Sequence, residues 1–312
     1  MIALMSVIEG VQTVTIASSG GELTATFAPG AGMVCCSLCH RGEELLGQRR
    51  GLRAYAERGS TMGIPLLHPW ANRLATGSFV HGIRVAIPAD SPLVSHDGAG
   101  LPIHGVIGSH LPWELIEAPR PGGDRLRARM RFEAPALLAV FPFAHELVLD
   151  ARLAGNALRI ETTLRASAEL AVPVSFGYHP YLTLPGVDRA GWQVELPLTS
   201  RLVLDERMIP TGISEPFQRR SLVLGETSWD DAFDGLSAPP LFAVSGGGRR
   251  IELEFLEGYR FAQVFAPAAE ELICFEPMTA PTNALISGDR LRTVQPGQEF
   301  RAAFRVSVSD TR

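Results

Sequence analysis

Apolar and polar residues alternate with a period of two along much of this 312-residue chain. Around Gly20-Gly21, residues 13–16 and 23–27 place apolar side chains between threonines. This pattern predicts a hairpin with one buried face. Residues 147–164 predict a second hairpin that turns at Gly155-Asn156, and the chain ends on another alternating segment at residues 300–308.

Two segments that suggest binding sites are equally well explained as strands. Gly246-Gly247-Gly248 could be a phosphate loop, but apolar residues follow it with period two, so it is interpreted as a hairpin turn. Residues 125–131 place four arginines between apolar residues. An anion site and a solvated strand face both fit this row, and we favour the solvated face.

Long amphipathic helices are missing from the pattern, and 31 glycines and 23 prolines are spread through the chain. Turns every ten or so residues indicate an all-β fold, a large antiparallel sandwich. No linker-like segment divides the sequence, so residues 1–312 are predicted to form one domain.

Composition excludes several classes of function. The net charge is −5 and arginines occur in isolated pairs, so we expect no nucleic-acid partner. The longest apolar stretch, residues 134–144, is too short for a bilayer helix, and no membrane partner is expected. Residues 1–10 lack the basic start of a signal peptide. We therefore expect a cytoplasmic protein, present as a monomer or a weak homodimer.

Cys36-Ser37-Leu38-Cys39-His40 matches the spacing of covalent haem attachment, and its cysteines could be half of a zinc site. Haem attachment requires export, and no second pair of zinc ligands follows at short spacing. The favoured interpretation is a strand that carries small apolar thiols, with no metal and no cofactor.

Polar residues interrupt the apolar pattern in five loop-like stretches, namely 63–73, 101–105, 176–181, 229–233 and 273–277. Aromatic rings can cover the C–H surfaces of a sugar, while amide, guanidinium and carboxylate groups bind its hydroxyls. Each residue also has a structural explanation, such as a turn cap or a bond to nearby backbone. The candidate monosaccharide contacts are Trp70, Asn72, Arg73, His104, Tyr178 and Asp230.

His179 and Glu276 are the candidate catalytic residues. Both lie in apolar, proline-closed runs, FGYHPY at residues 176–181 and CFEP at residues 274–277. A glutamate in such a run is rare unless it is paired or functional. We predict that the fold brings the two side chains together as an acid/base pair.

Taken together, these stretches resemble the aldose 1-epimerase (galactose mutarotase-like) family. The matching segments occur in the family's order from Gly63 to Leu285: GIPLLHPWANR, IHG, FGYHPYLTLPG, DDAF and ICFEPMTAPTNAL. The resemblance implies a β-supersandwich and a cofactor-free interconversion of α and β anomers of a free aldose.

The resemblance also assigns roles to individual residues. His179 matches the family's general acid and Glu276 its general base. Arg73, with Asn72 beside it, matches a hydroxyl contact, and His104 matches a histidine near the ring oxygen. Asp230 matches a carboxylate that holds distal hydroxyls, with Asp231 as the alternative. His68 and Leu182 stand where phenylalanine is usual, which puts the substrate preference in doubt.

Three other functions compete with this interpretation. A mutarotase of phosphorylated hexoses would need basic residues at the pocket mouth, for which Arg49, Arg50 and Arg53 are candidates. A non-catalytic sugar-binding module would not need a titratable pair. A lyase or hydrolase on a related sandwich would need carboxylates or tyrosines at a different spacing, which the sequence lacks.

Overall fold

Antiparallel strands dominate the computed structural model, which describes residues 5–167, 169–218 and 221–311. The strands before residue 167 are β1 (Met5–Ile8), β2 (Val11–Ala17), β3 (Leu23–Ala28), β4 (Val34–His40), β5 (Glu43–Glu44), β6 (Leu66–Leu67), β7 (Ser78–His81), β8 (Ile83–Ala86), β9 (Val94–His96), β10 (Pro102–Val106), β11 (Trp113–Glu117), β12 (Arg125–Phe132), β13 (His145–Ala154) and β14 (Ala157–Ala166).

The later strands and three short helices complete the described elements. The strands are β15 (Val172–Val174), β16 (Gly177–Tyr178), β17 (Tyr181–Leu182), β18 (Gln193–Glu195), β19 (Leu198–Leu204), β20 (Pro210–Pro216), β21 (Ser221–Val223), β22 (Trp229–Leu236), β23 (Leu241–Gly246), β24 (Arg249–Glu257), β25 (Phe261–Ala266), β26 (Ile273–Met278), β27 (Arg292–Val294) and β28 (Glu299–Asp310). The helices are α1 (Gly51–Arg58), α2 (Pro135–Val140) and α3 (Ala284–Ser287).

Two large sheets organise the chain. The nine-stranded sheet has the order β11-β12-β13-β14-β28-β24-β23-β18-β21, and the eight-stranded sheet includes β20-β19-β22-β25-β26-β16-β6, with β17 also paired to β26. A five-stranded sheet, β1 to β5, precedes them in the chain. Neighbouring strands within these sheets pair antiparallel, so the predicted all-β supersandwich is confirmed.

The two large sheets pack face to face through aromatic residues. Phe242 of β23 lies 5.1 Å from Phe275 of β26 between ring centroids, and Tyr178 of β16 lies 5.0 Å from Phe304 of β28. All four side chains are buried in one large apolar cluster. Because alternate residues of a strand face opposite sides, the eight-stranded sheet keeps a second face free for polar residues.

The sequence patterns correspond to strands as predicted. Gly155-Asn156 joins β13 to β14, and Gly247-Gly248 joins β23 to β24. Three of the four arginines of β12, Arg125, Arg127 and Arg129, form ion pairs with carboxylates on the adjacent strands, among them Asp150 and Glu114. The row is therefore a solvated, paired face rather than an anion site.

The cysteine motif lies in β4, where Cys36 is buried and Cys39 is partly exposed, and both are free thiols. No cluster of metal-ligating side chains occurs in the described part of the chain. Within the same residues, none of the helices combines the length and apolar character of a membrane span. The prediction that the chain lacks a signal peptide concerned residues 1–10, and residues 1–4 of that segment lie outside the described residues.

A buried histidine pair lies in the core next to strand β10, which carries His104. The Nε2 atoms of His68 and His145 are 2.7 Å apart, and Nδ1 of His145 is 2.6 Å from the carbonyl oxygen of Phe143. Since that carbonyl only accepts, His145 donates from Nδ1 and accepts at Nε2 from His68. Both rings are therefore neutral.

Burial lowers the pKa of His68 well below its ordinary value and that of His145 to about 4. As pH falls, the two histidines therefore bind protons in the unfolded chain near pH 6.5, before they do so in the folded protein. The pair's contribution to stability is complete above that pH and declines as pH falls toward the folded values.

We expect the free energy of unfolding to fall as pH drops from 6.5 to 4.5, and His68→Phe to reduce that loss by at least about 1 kcal/mol. Urea denaturation at several pH values measures it, with the exposed His110→Gln variant as the control. Parallel pH profiles for His68→Phe and the wild type would contradict the assignment.

Candidate active site

Glu276 lies on the face of the eight-stranded sheet that points away from the main core. In β26 its neighbour Phe275 packs into the sandwich, so Cys274 and Glu276 point to the opposite side. Gln263 of β25 is directly opposite Glu276 in the register. The carboxyl group is therefore fixed by two central strands rather than by a loop.

His179 reaches the same face from the short link between β16 and β17. Its backbone N–H donates to the carbonyl of Pro65 at 3.1 Å. Its ring stacks on Tyr181 with centroids 4.3 Å apart and an interplanar angle of 8°. The Tyr181 hydroxyl also lies 3.3 Å from His179 Nε2 and 2.6 Å from the Thr61 hydroxyl. These contacts hold the imidazole in one orientation.

The predicted acid/base pair is brought together by the fold. His179 Nε2 lies 3.2 Å from Glu276 Oε1, and the two side chains are only 7% and 2% exposed. His179 Nδ1 and Glu276 Oε2 are buried without a partner in the described protein. Each side chain of the pair therefore has one polar atom that can form a hydrogen bond with a bound molecule.

Burial shifts the two pKa values in opposite directions. The pKa of Glu276 is raised well above its ordinary value by desolvation, with a further rise from Asp230 and an offset from Arg73. The pKa of His179 is lowered well below its ordinary value by desolvation, His104 and Arg49. A proton shared by the pair is thus favoured on the carboxyl group when the site is empty.

His104 and Asn72 form a second wall of the site through an unusual backbone arrangement. Both residues have left-handed backbone angles, with φ of 63° and 58°. His104 N–H donates to the Asn72 carbonyl at 3.0 Å, and Asn72 N–H donates to His104 Nδ1 at 3.3 Å. Nδ1 therefore accepts, which leaves the hydrogen on Nε2. Burial and Arg73 lower the pKa of His104 to about 3, so the ring is a neutral donor.

Gly105 allows this wall to pack closely against the neighbouring segment. Its φ is +72°, and a Cβ there would lie 2.3 Å from the carbonyl oxygen of His68. Val106 N–H donates to that same oxygen at 2.8 Å. The glycine is required by the contact between the 63–73 segment and β10.

Arg73 connects the second wall to the carboxylates of the site. Its Nε donates to Asp97 at 2.8 Å, and its Nη1 donates to the side-chain oxygen of Asn72 at 3.1 Å. Its Nη2 lies 3.8 Å from Asp230 Oδ2. Asn72 thus serves first to position Arg73, whose guanidinium faces the space beside Glu276.

The structure separates Asp230 from Asp231. Asp230 pairs with Phe265 across the strands, and its Oδ1 accepts a 2.6 Å hydrogen bond from Gln263 Nε2. Asp231 points the other way, toward Arg201 at 3.2 Å. Burial raises the pKa of Asp230, with Arg73 and Gln263 offsetting part of the rise. Of the two aspartates, Asp230 belongs to the site.

Sequence reasoning missed Gln263 and Asp97. Gln263 is 2% exposed, and its side-chain oxygen is buried without a partner in the described protein. It is a lone amide in the apolar run of β25, which is the same signal that identified Glu276. Asp97 lies in a turn and gave no signal of this kind.

Trp70 and Tyr178 were predicted as substrate contacts, and both assignments are wrong. Trp70 is 0% exposed within the main apolar cluster. Tyr178 bonds Thr162 at 2.7 Å inside the sandwich, because it alternates with His179 and faces the other side. The aromatic residues beside the pair are Tyr181 and Phe265, whose ring lies 5.6 Å from that of His179.

His68 and Leu182, where the sequence departs from the family pattern, are buried in the core. His68 contacts His145, Phe132 and Phe176 rather than the site. Neither side chain therefore lies on the face that carries the pair, and an effect of the two departures on substrate preference stays a prediction.

A family model for aldose 1-epimerase matches residues 12–307. The chain belongs to the aldose 1-epimerase family. It is therefore an isomerase with a general mutarotase-type function. The family assignment covers all five sequence stretches on which the resemblance was based.

Relatives with solved structures share the complete fold. Slr1438 from Synechocystis is 26% identical, with a TM-score of 0.79 over 99% of this chain and 100% of its own. A galactose mutarotase-like protein from Clostridium acetobutylicum is 17% identical, with a TM-score of 0.84 over 98% of each chain. Galactose 1-epimerase from Lactobacillus acidophilus is 14% identical, with a TM-score of 0.77 over 98% and 97%.

A curated relative is YihR from Escherichia coli, described as uncharacterized. It is 24% identical over 261 residues, which cover 78% of this chain and 80% of the relative. The similarity therefore extends across most of both proteins.

We expect Asp230→Asn to raise KM for a sugar by about tenfold or more, since a hydrogen bond to a charged group contributes about 1.5–3 kcal/mol. Initial-rate kinetics measure the change. Asp231→Asn, the adjacent control, should leave KM within about twofold because its carboxylate faces Arg201. Equal effects of the two substitutions would remove Asp230 from the site.

Proposed function

We propose that this protein interconverts the α and β anomers of a free aldose by opening and reclosing the pyranose ring. The observation that carries the proposal is the 3.2 Å contact between His179 Nε2 and Glu276 Oε1, buried on a face that also presents Arg73, Asp230 and His104. A buried titratable pair with unpartnered atoms fits proton transfer better than binding alone.

Ring opening needs two proton movements. A base removes the proton of the C1 hydroxyl, an acid delivers a proton to the ring oxygen, and the bond between C1 and the ring oxygen breaks as the carbonyl forms. Glu276 is the base and His179 the acid. Rotation about the C1–C2 bond and the reverse transfers then close the ring as the other anomer, so both groups regain their starting states.

The opposite pKa shifts determine the resting state of the pair. A carboxyl whose pKa is raised and an imidazole whose pKa is lowered keep the shared proton on Glu276 before a sugar binds. The resting pair is therefore neutral. The proton that Glu276 holds before a sugar binds moves to His179 when the C1 hydroxyl binds beside Glu276. Glu276 is then a carboxylate and can accept the proton of that hydroxyl.

The surrounding residues hold the sugar. Arg73 and Asp230 bind hydroxyls through charge-assisted hydrogen bonds, and Gln263 presents its free oxygen next to Glu276. Neutral His104 donates from Nε2 without competing for the catalytic proton. The chemistry is proton transfer alone, so the proposal includes no cofactor.

We expect Glu276→Gln and His179→Asn each to lower kcat by about 10²–10⁴-fold, the usual contribution of a positioned acid or base. Polarimetry of freshly dissolved α-D-glucose and α-D-galactose measures the rate, and circular dichroism checks that each variant is folded. The core variant Tyr178→Phe keeps the pair intact and serves as the control. Wild-type decay rates in either catalytic variant would refute the roles.

We expect His179 to be neutral in the free enzyme at pH 6, where an ordinary imidazole is mostly charged. Desolvation lowers its pKa, so protonation begins only at lower pH. Nitrogen-15 NMR of histidine-labelled protein reports the charge, with the His179→Asn spectrum assigning the signal. A charged ring at pH 6 would contradict the neutral resting pair.

A further inference from the structure

The imidazole of His179 lies face to face with the ring of Tyr181. The two ring centroids are 4.3 Å apart, and the ring planes differ by only 8°. Two further aromatic neighbours approach differently, because Phe265 and His104 meet the imidazole at 75° and 78°, with centroids 5.6 and 5.7 Å away. Among these three rings, Tyr181 is therefore the one that lies parallel to the imidazole and presents its π face to it.

Strand pairing and side-chain contacts fix Tyr181 in this position. The residue lies in β17, opposite Cys274 of β26, and its backbone N–H donates to the Gly63 carbonyl at 2.9 Å. Its side chain is buried, and its hydroxyl lies 2.6 Å from that of Thr61. These contacts hold both the backbone and the hydroxyl end of the ring, so the ring cannot turn away from the imidazole without breaking them.

The Tyr181 ring already interacts with a permanent cation. The guanidinium carbon of Arg49 lies 5.2 Å from the ring centroid, and two hydrogen bonds of 2.9 Å to Glu270 hold the guanidinium there. A cation near an aromatic face is attracted by the negative charge density of that face. The resting structure thus uses this ring in the kind of contact that a charged imidazole would make.

The proposed reaction creates a second, transient charge beside the same ring. The proton of Glu276 moves to His179, which makes the imidazole positive. Burial and Arg49 oppose this charge, since both lower the pKa of His179. The π face of Tyr181 acts in the opposite direction, and only once the imidazole is charged. An interaction that forms only as the reaction proceeds accelerates the chemical step instead of strengthening substrate binding.

We propose that Tyr181 is a positioning residue for the proposed reaction, whose ring face stabilises the imidazolium that His179 forms transiently. This assignment rests on the proposed function, because the charge arises only if His179 is the acid. The hydroxyl of Tyr181, which lies 3.3 Å from His179 Nε2, holds the ring in place through Thr61. The ring face is the part of the side chain that acts on the charge.

Substitutions of Tyr181 separate the ring face from the hydroxyl. We expect Tyr181→Phe, which keeps the ring, to retain kcat within about threefold. Tyr181→Leu should lower kcat by about tenfold, within the range of a desolvated cation–π contact, while KM stays within about twofold. Polarimetry of freshly dissolved α-D-glucose at several concentrations gives both constants, and circular dichroism checks folding. Equal losses of kcat in the two variants would overturn the role of the ring face.

A fluorinated ring tests the electrostatics with little change of shape. Trifluorophenylalanine at position 181 has less negative charge on its face than phenylalanine. It should lower kcat by about threefold or more relative to Tyr181→Phe, with KM unchanged. The matched control is the same pair of residues at position 178, because Tyr178 bonds Thr162 at 2.7 Å inside the sandwich. A fluorine effect of the same size at both positions, or none at position 181, would overturn the proposal.

The His179→Asn background shows whether the effect passes through the imidazole. This variant forms no imidazolium, so Tyr181→Leu should not lower its residual rate further. A further loss of about tenfold would assign Tyr181 to packing alone and overturn the proposal. Absence of any acceleration by the wild type would overturn the proposed function itself. Acceleration by the wild type without a fluorine effect would overturn only the role of Tyr181.

Discussion

The site depends on one constraint, which is that a carboxyl and an imidazole lie within hydrogen-bond distance in a nearly dry environment. An unpaired charge in such a place costs several kcal/mol, so the groups must share a proton or a bound molecule must compensate them. Their positions on two segments of the same sheet keep the distance at 3.2 Å. Every other residue of the site either holds these two groups or surrounds the space between them.

Packing of the large core offsets the backbone strain in the second wall of the site. Asn72 and His104 both adopt left-handed angles, each of which costs about 1–3 kcal/mol for such residues. They bond each other, and Gly105 packs against the His68 carbonyl. The histidine pair at His68 and His145 lies under this contact. A small domain would have less packing energy to offset that strain. The large sandwich therefore contributes to the site by stabilising its strained backbone.

Strand positions and the candidate residues His179 and Glu276 followed from the sequence because both depend on local patterns. Alternation identified the hairpins, and a glutamate in an apolar run identified Glu276. The direction of each side chain depends on cross-strand register, which no local pattern contains. Tyr178 was therefore assigned to the site, although only its neighbour His179 faces there. Asp230 could be separated from Asp231 only through their cross-strand pairing with Phe265 and Val264.

The chemistry and the specificity of this site depend on different parts of the sugar. Every aldopyranose has the same C1 hydroxyl and ring oxygen, so the pair can act on any sugar that is correctly placed. Discrimination must come from groups that touch the rest of the ring. Asp230 and Arg73 are such groups, and neither takes part in the 3.2 Å contact between His179 and Glu276. Because both also shift the pKa of Glu276, a substitution at either position is expected to change the proton transfers as well as the preferred sugar.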